Sequence, residues 1–244
     1  MVGLATRQRD TYFKQAESLA KKFADLSKLE DRMATEGKVI VKGLRDQQMK
    51  FDEYERAMVD KTLTAALAAV YLGAGDNRPK QKMEASWASI VGNMLPPLKT
   101  FLDETKIYLD NGILKYNDDS LDFIEDEYET MDALGYYQDP EELIEQGQTE
   151  AEQDRSIGKT WPAVYGRVNR YLSTPLYSFY YLGDYYNKQE QGYKEMRRVP
   201  RVDRRTCPDC VSFGEQGWKP MGSLPLPGKD CRCWDRCRCR IEYR

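Results

Sequence analysis

All six cysteines of this 244-residue chain fall between positions 207 and 239. The first two form a C-x-x-C motif, Cys207-Pro208-Asp209-Cys210. After twenty residues comes a closing cluster, Cys231-Arg232-Cys233-Trp234-Asp235-Arg236-Cys237-Arg238-Cys239. Thiolates grouped in this way suit a tetrahedral zinc ion, with metal–sulfur distances of about 2.3 Å. A C-x-x-C turn aims two sulfurs at one point, and a second turn completes the tetrahedron. The segment between the clusters is rich in Gly and Pro, has little core of its own, and needs a staple. The competing chemistry is disulfide formation, which oxidising surroundings allow and a reducing cytosol opposes. A functionally idle cluster is the third reading. A thioredoxin-like redox role has no support, because no βαβ pattern precedes the motif.

Spacing also orders the sulfurs. Cys207 and Cys210 supply one pair, and the other must come from the closing cluster. The two members of a C-R-C pair are expected to turn to opposite sides of an extended segment, so one pair should not hold one metal. Cys233 and Cys237 are four apart and converge across a tight turn. The expected ligands of one structural zinc are therefore Cys207, Cys210, Cys233 and Cys237. Cys239 is the replacement for Cys237, and Cys231 is the spare. Arg232, Arg236 and Arg238 are expected to offset the double negative charge of a four-thiolate site.

The chain has no histidine. That removes the commonest general base and the commonest metal ligand, and with them any Ser-His-Asp or Cys-His arrangement within the chain. No Gly-rich phosphate loop or nucleophile elbow is present either. The expectation is a protein that is not an enzyme. Net charge is −3 but unevenly placed: Asp118 to Asp154 holds fifteen acidic residues and no Lys or Arg, whereas Arg155 to Arg244 holds eighteen basic and nine acidic ones. Such asymmetry points to a partner surface or an internal contact, or simply to a solvated acidic helix and a basic tail. No run of 18 apolar residues exists, which argues against a membrane span, and the N-terminus lacks the pattern of a signal peptide.

The elements that must carry these residues read as helices. Tyr12, Ala16, Leu19, Phe23 and Leu26 recur at three- and four-residue steps within a helix from Thr6 to about Ala34. Gly37 is expected to end it, with Val39-Ile40-Val41 extended. A second helix is expected from about Asp46 to Leu72, with Phe51, Tyr54, Met58 and Thr62 on one face, and Tyr71-Leu72-Gly73-Ala74-Gly75 supplies the glycine that can adopt positive φ beyond its last turn. A third, from about Gln81, should stop or kink at Pro96-Pro97. Asn111-Gly112 is a turn. Two helices are expected in the acidic block, from about Asp119 to Leu134 and from Asp139-Pro140 onward. Trp161 to Tyr193 holds eight of the seventeen tyrosines, a residue that suits interfaces as well as ordinary helix packing. The expected architecture is mainly α: an elongated helical body over residues 1–193, and a small Cys-rich, zinc-ribbon-like module over 194–244.

Particular strings in the tail are similar to a known family. Arg204-Arg205-Thr206-Cys207-Pro208-Asp209-Cys210, Gly217-Trp218, Leu224-Pro225-Leu226-Pro227-Gly228, and Cys233 through Tyr243 together resemble the C-terminus of tailed-phage head-morphogenesis proteins of the Mu minor-head type. That family shows C-x-x-C, a proline-rich link and a closing C-R-C. A histidine precedes the closing cysteines in its better-known branch, and Cys233 stands near that position here. Phe51-Asp52-Glu53-Tyr54-Glu55, followed by Ala65 to Gly75, is similar to helices of phage structural proteins encoded beside the portal. The resemblance implies a minor head or portal-vertex (head–tail) protein acting in head assembly. It would be made in the host cytoplasm and located in the virion, in several copies, against portal, capsid or head–tail connector proteins and away from membranes. The alternative is a nucleic-acid-binding virion protein. In that reading the basic tail, with Trp218 and Trp234 among its arginines, grips packaged DNA by phosphate contacts and stacking.

Overall fold

Side chains satisfy orphan N–H groups at two helix starts: Asp25 accepts from Lys28 and Glu53 accepts from Lys50. The computed structural model describes residues 6–23, 25–76, 80–117, 161–173, 175–203, 206–232 and 237–244. Among the described residues six helices come first: α1 (Thr6–Lys22), α2 (Leu26–Arg45), α3 (Phe51–Ala74), α4 (Lys80–Asp110), α5 (Trp161–Leu172) and α6 (Leu176–Glu190). Strand β1 (Glu195–Val199), helix α7 (Pro208–Glu215), strand β2 (Lys219–Pro220) and strand β3 (Arg240–Tyr243) follow. The fold is mainly helical, with cysteines clustered near the C-terminus. The helices expected between Asp119 and Leu134 and after Asp139 lie outside the described residues.

The expected helix from Thr6 to Ala34 is two helices. Asp25 divides them, its Oδ1 accepting the backbone N–H of Lys28 at 2.9 Å as an N-cap does. Gly37 does not end the second, and Val39-Ile40-Val41 are helical rather than extended. The reason is burial. Leu29, Met33, Gly37, Ile40, Val41 and Leu44 form one buried stripe at helical spacing, and packing of that stripe outweighs the modest helix propensities of Gly and Val. Helix α4 likewise runs through Pro96 and Pro97. The carbonyls that lose their donors belong to Gly92 and Asn93, four residues earlier, and both residues are exposed, so water can serve them. Gly75 (φ +58°), in the glycine-bearing string that ends α3, and Gly112 (φ +66°), in the expected Asn111-Gly112 turn, take the left-handed conformation. By composition α3 is long and apolar enough to cross a membrane, yet its Leu63, Leu67 and Val70 are fully buried within the protein.

The chain divides into two compact units. One comprises Glu36–Met58 and Pro97–Asn169. Its anchor is Trp161, which is fully buried and donates from Nε1 to the Lys115 carbonyl at 2.7 Å. Arg167 lies over Phe101, 4.9 Å from the ring centroid, and pairs with Glu104 at 2.8 Å. The other comprises Met1–Thr35, Val59–Pro96 and Arg170–Arg244, and so combines parts of α1 to α4 with α6 and the whole Cys-rich segment. In it Tyr12 packs on Trp87 with ring centroids 5.2 Å apart, and its hydroxyl donates to Asp60. Helices α3 and α6 meet backbone to backbone. A Cβ at Gly73 would stand 1.9 Å from the Tyr180 carbonyl oxygen, and one at Gly183 would stand 2.0 Å from that of Val70.

Two predictions follow from this packing. Gly73→Ala or Gly183→Ala forces the two helices apart and should cost about 1–3 kcal/mol or more in urea unfolding, the range for overpacked cores. Burial, and then the Asp31 carboxylate, push the Glu30 carboxyl up to about 7. The folded state therefore binds this proton more tightly than the unfolded chain. Its contribution is present below about pH 4.5 and is lost as pH rises through about 7. Glu30→Gln should match the parent at pH 4 and exceed it at pH 8 in the same assay; equal gains at both pH values would refute the assignment.

Candidate metal centre

Strand alternation prepares the site. Strand β1 is central in a three-stranded antiparallel sheet of order β2-β1-β3, with Glu195 opposite Pro220 and Arg198 opposite Ile241. Side chains two apart share a face, so Met196 and Arg198 enter the interior while Glu195 and Arg197 face outward. Helix α7 starts inside the C-x-x-C motif. Cys207 is its N-cap residue in extended conformation, Pro208 takes the first helical position, and Cys210 is buried one turn in. The helix lies close on the end of β1, since a Cβ at Gly214 would come within 2.6 Å of Pro200.

Two carboxylates pin the closing cluster to this frame. Asp209, between the paired cysteines, accepts the backbone N–H of Arg232 at 2.8 Å and so fixes the chain beside Cys231. Asp203 receives both Nη atoms of Arg238, at 2.8 and 2.7 Å, and so fixes the residue between Cys237 and Cys239. From helix α6, the Tyr177 hydroxyl donates to the Cys239 carbonyl at 2.9 Å. Cys210, Cys231, Cys237 and Cys239 form one buried cluster, with Cys207 and Phe213 packed against it.

The Sγ atoms of Cys210, Cys237 and Cys239 all lie within 4.8 Å of one another, close enough to bind a metal ion. Cys210 and Cys237 are 3.8 Å apart. A tetrahedral ion with sulfurs at about 2.3 Å separates them by about 3.8 Å. The donor set therefore fits such an ion. Of the four expected ligands, the structure brings Cys210 and Cys237 together and places Cys207 at the edge of the cluster; Cys233 lies outside the described residues. The expectation that a C-R-C pair cannot share a metal is corrected. Cys237 and Cys239 approach the same point, because residues two apart in an extended segment lie on the same side, not on opposite ones. No disulfide joins the five described cysteines to one another.

Sequence reasoning missed Arg198. It is 1% exposed and reaches the sulfurs from β1. Nη2 lies 3.0 Å from Cys237, 3.2 Å from Cys231 and 3.5 Å from Cys210, and Nη1 donates to the carbonyls of Pro225 and Leu226 at 3.3 and 3.5 Å. The proline-rich link thus lays its carbonyls on this guanidinium. Burial pulls the Arg198 pKa down, but the sulfurs of Cys237, Cys231 and Cys210 outweigh burial and hold it above the ordinary range. The Cys239 thiol is pushed up by Cys237, by burial and by Cys210, against the pull of Arg198. The arginines proposed from sequence as the charge offset turn elsewhere: Arg232 to Asp209 and Arg238 to Asp203. Arg236 lies outside the described residues.

On the outer face, Arg197 and Arg244 both lie over the Trp218 ring, 4.8 and 4.6 Å from its centroid. Arg197 and Arg240 pair with Glu242, and Arg244 pairs with Glu195. Comparisons of the chain with protein-family models, with curated proteins and with solved structures found no match.

Proposed function

We propose that this chain is a structural protein of a tailed-phage virion, a minor head or portal-vertex component acting in head assembly, whose C-terminal module is held by one structural zinc ion. The identity of the assembly rests on the layout of C-x-x-C, proline-rich link and closing C-R-C, which resembles the Mu minor-head type. The observation that carries the metal is the convergence of Cys210, Cys237 and Cys239, at 2–4% exposure, with one sulfur pair at the edge length of a zinc tetrahedron. Cys207 is the fourth donor, from the N-cap of the helix that carries Cys210. Burial of the donors favours a closed structural site over a catalytic one, which keeps an open position. Metal binding then contributes directly to folding of a module with little apolar core. The nucleic-acid reading draws less support, because Arg197, Arg232, Arg238, Arg240 and Arg244 each pair with a carboxylate of the tail.

Metal analysis of chain purified without chelator should give about one zinc per protein, and Cys210→Ser, Cys237→Ser or Cys239→Ser should lose it. Protein that is metal-free yet ordered in the tail would contradict the zinc assignment. For the assembly, mass spectrometry of purified virions should find the chain in multiple copies, and disrupting its gene should yield defective heads. Infectious particles with normal heads and no trace of the chain would contradict the virion role.

A further inference from the structure

We propose that Arg198 is the resident counter-cation of the sulfur cluster: its guanidinium donates to the sulfurs of the metal–thiolate centre and keeps Cys231 outside the ligand set. This inference rests on the zinc reading and adds a division of labour among the sulfurs.

The first ground is charge. A guanidinium this deeply buried is costly unless an anion accompanies it. Among the described residues, no carboxylate pairs with Arg198, and its Nε is buried with no hydrogen-bond partner. Its remaining partners are two carbonyls and three sulfurs. The sulfurs are the available source of negative charge. Disulfides are neutral and would leave the cation uncompensated. A zinc ion with four thiolates carries two negative charges, and Arg198 balances one of them inside the module.

The second ground is position. Nη2 reaches Cys210 and Cys237, which belong to the convergent triad, and also Cys231, which does not. Cys231 is thus the sulfur of the arginine, and Cys239 is a sulfur of the metal. Hydrogen bonds to Cys210 and Cys237 fix their orientation and draw lone-pair density from them, which makes metal-bound thiolates less nucleophilic. Lysine could supply the charge but not the fork that serves carbonyls and sulfurs together.

The test uses the full chain loaded with zinc, or with cobalt(II) as a spectroscopic substitute. Cys231→Ser should keep the metal-to-protein ratio and the affinity of the parent. Arg198→Met should keep the ratio but lose about 10- to 100-fold in affinity by chelator competition, the usual cost of removing an outer partner of a metal ligand. Its sulfur-to-cobalt charge-transfer bands should move to lower energy, and iodoacetamide should alkylate its metal-bound thiolates faster. Arg198→Lys should recover part of the affinity without restoring the bands, and it decides the matter should the methionine variant fail to fold. Parental affinity and bands in either Arg198 variant, or loss of metal from Cys231→Ser, would overturn the proposal. Parental protein that binds no zinc or cobalt would overturn the zinc reading itself, a failure visible before any variant is made.

Discussion

A positive charge sealed among sulfurs sets the terms for the C-terminal module. Arg198 enters the interior because it occupies an inward position of the central strand, opposite Ile241 and two residues from buried Met196. Once there, it needs acceptors on every side. Phe213 of α7 covers its face at 4.9 Å, the proline-rich link brings carbonyls, and the cysteines bring sulfur. Each of the three segments that surround it is thereby placed: α7, the link around Pro225, and the closing cluster.

The rest of the module holds those segments at the right distances. Asp209 and Asp203 act as clips from the chain on either side of Cys207 to the chain around Cys231 and Cys239. The Arg238–Asp203 clip is a half-exposed ion pair, worth about 0–1 kcal/mol, and the Asp209 clip is an exposed hydrogen bond, so they orient the chain more than they stabilise it. In the zinc reading proposed here the larger contribution comes from the metal, since a structural zinc supplies roughly 10 kcal/mol or more. The hydrogen bond from Tyr177 to the Cys239 carbonyl then ties the module to helix α6. Helix α6 is fixed in turn by the glycine-to-backbone contact with α3.

Much of this was legible in the residue pattern, and the exceptions have physical causes. Three- and four-residue spacing gave the helices, and Gly75 and Gly112 gave two of their ends. Local preference at Gly37 is outweighed by the buried stripe of α2, and α4 does not stop at Pro96-Pro97, where Gly92 and Asn93 are exposed. The clustering of cysteines is evident in the sequence, but the convergence of Cys237 and Cys239 is not, because side chains two apart in an extended segment share a side. Arg198 was the hardest residue to see. In Glu195-Met196-Arg197-Arg198-Val199 the alternation that marks an inward face is broken by the arginine itself. Only pairing with β3, forty residues away in the chain, turns that position inward.

The central claim is that these sulfurs fold around one metal ion as thiolates. X-ray absorption at the zinc edge of the purified chain tests it most directly. The account predicts a single shell of four sulfur neighbours at about 2.3 Å. A shell dominated by oxygen or nitrogen, or a protein whose cysteines are joined to one another with no zinc bound, would contradict it.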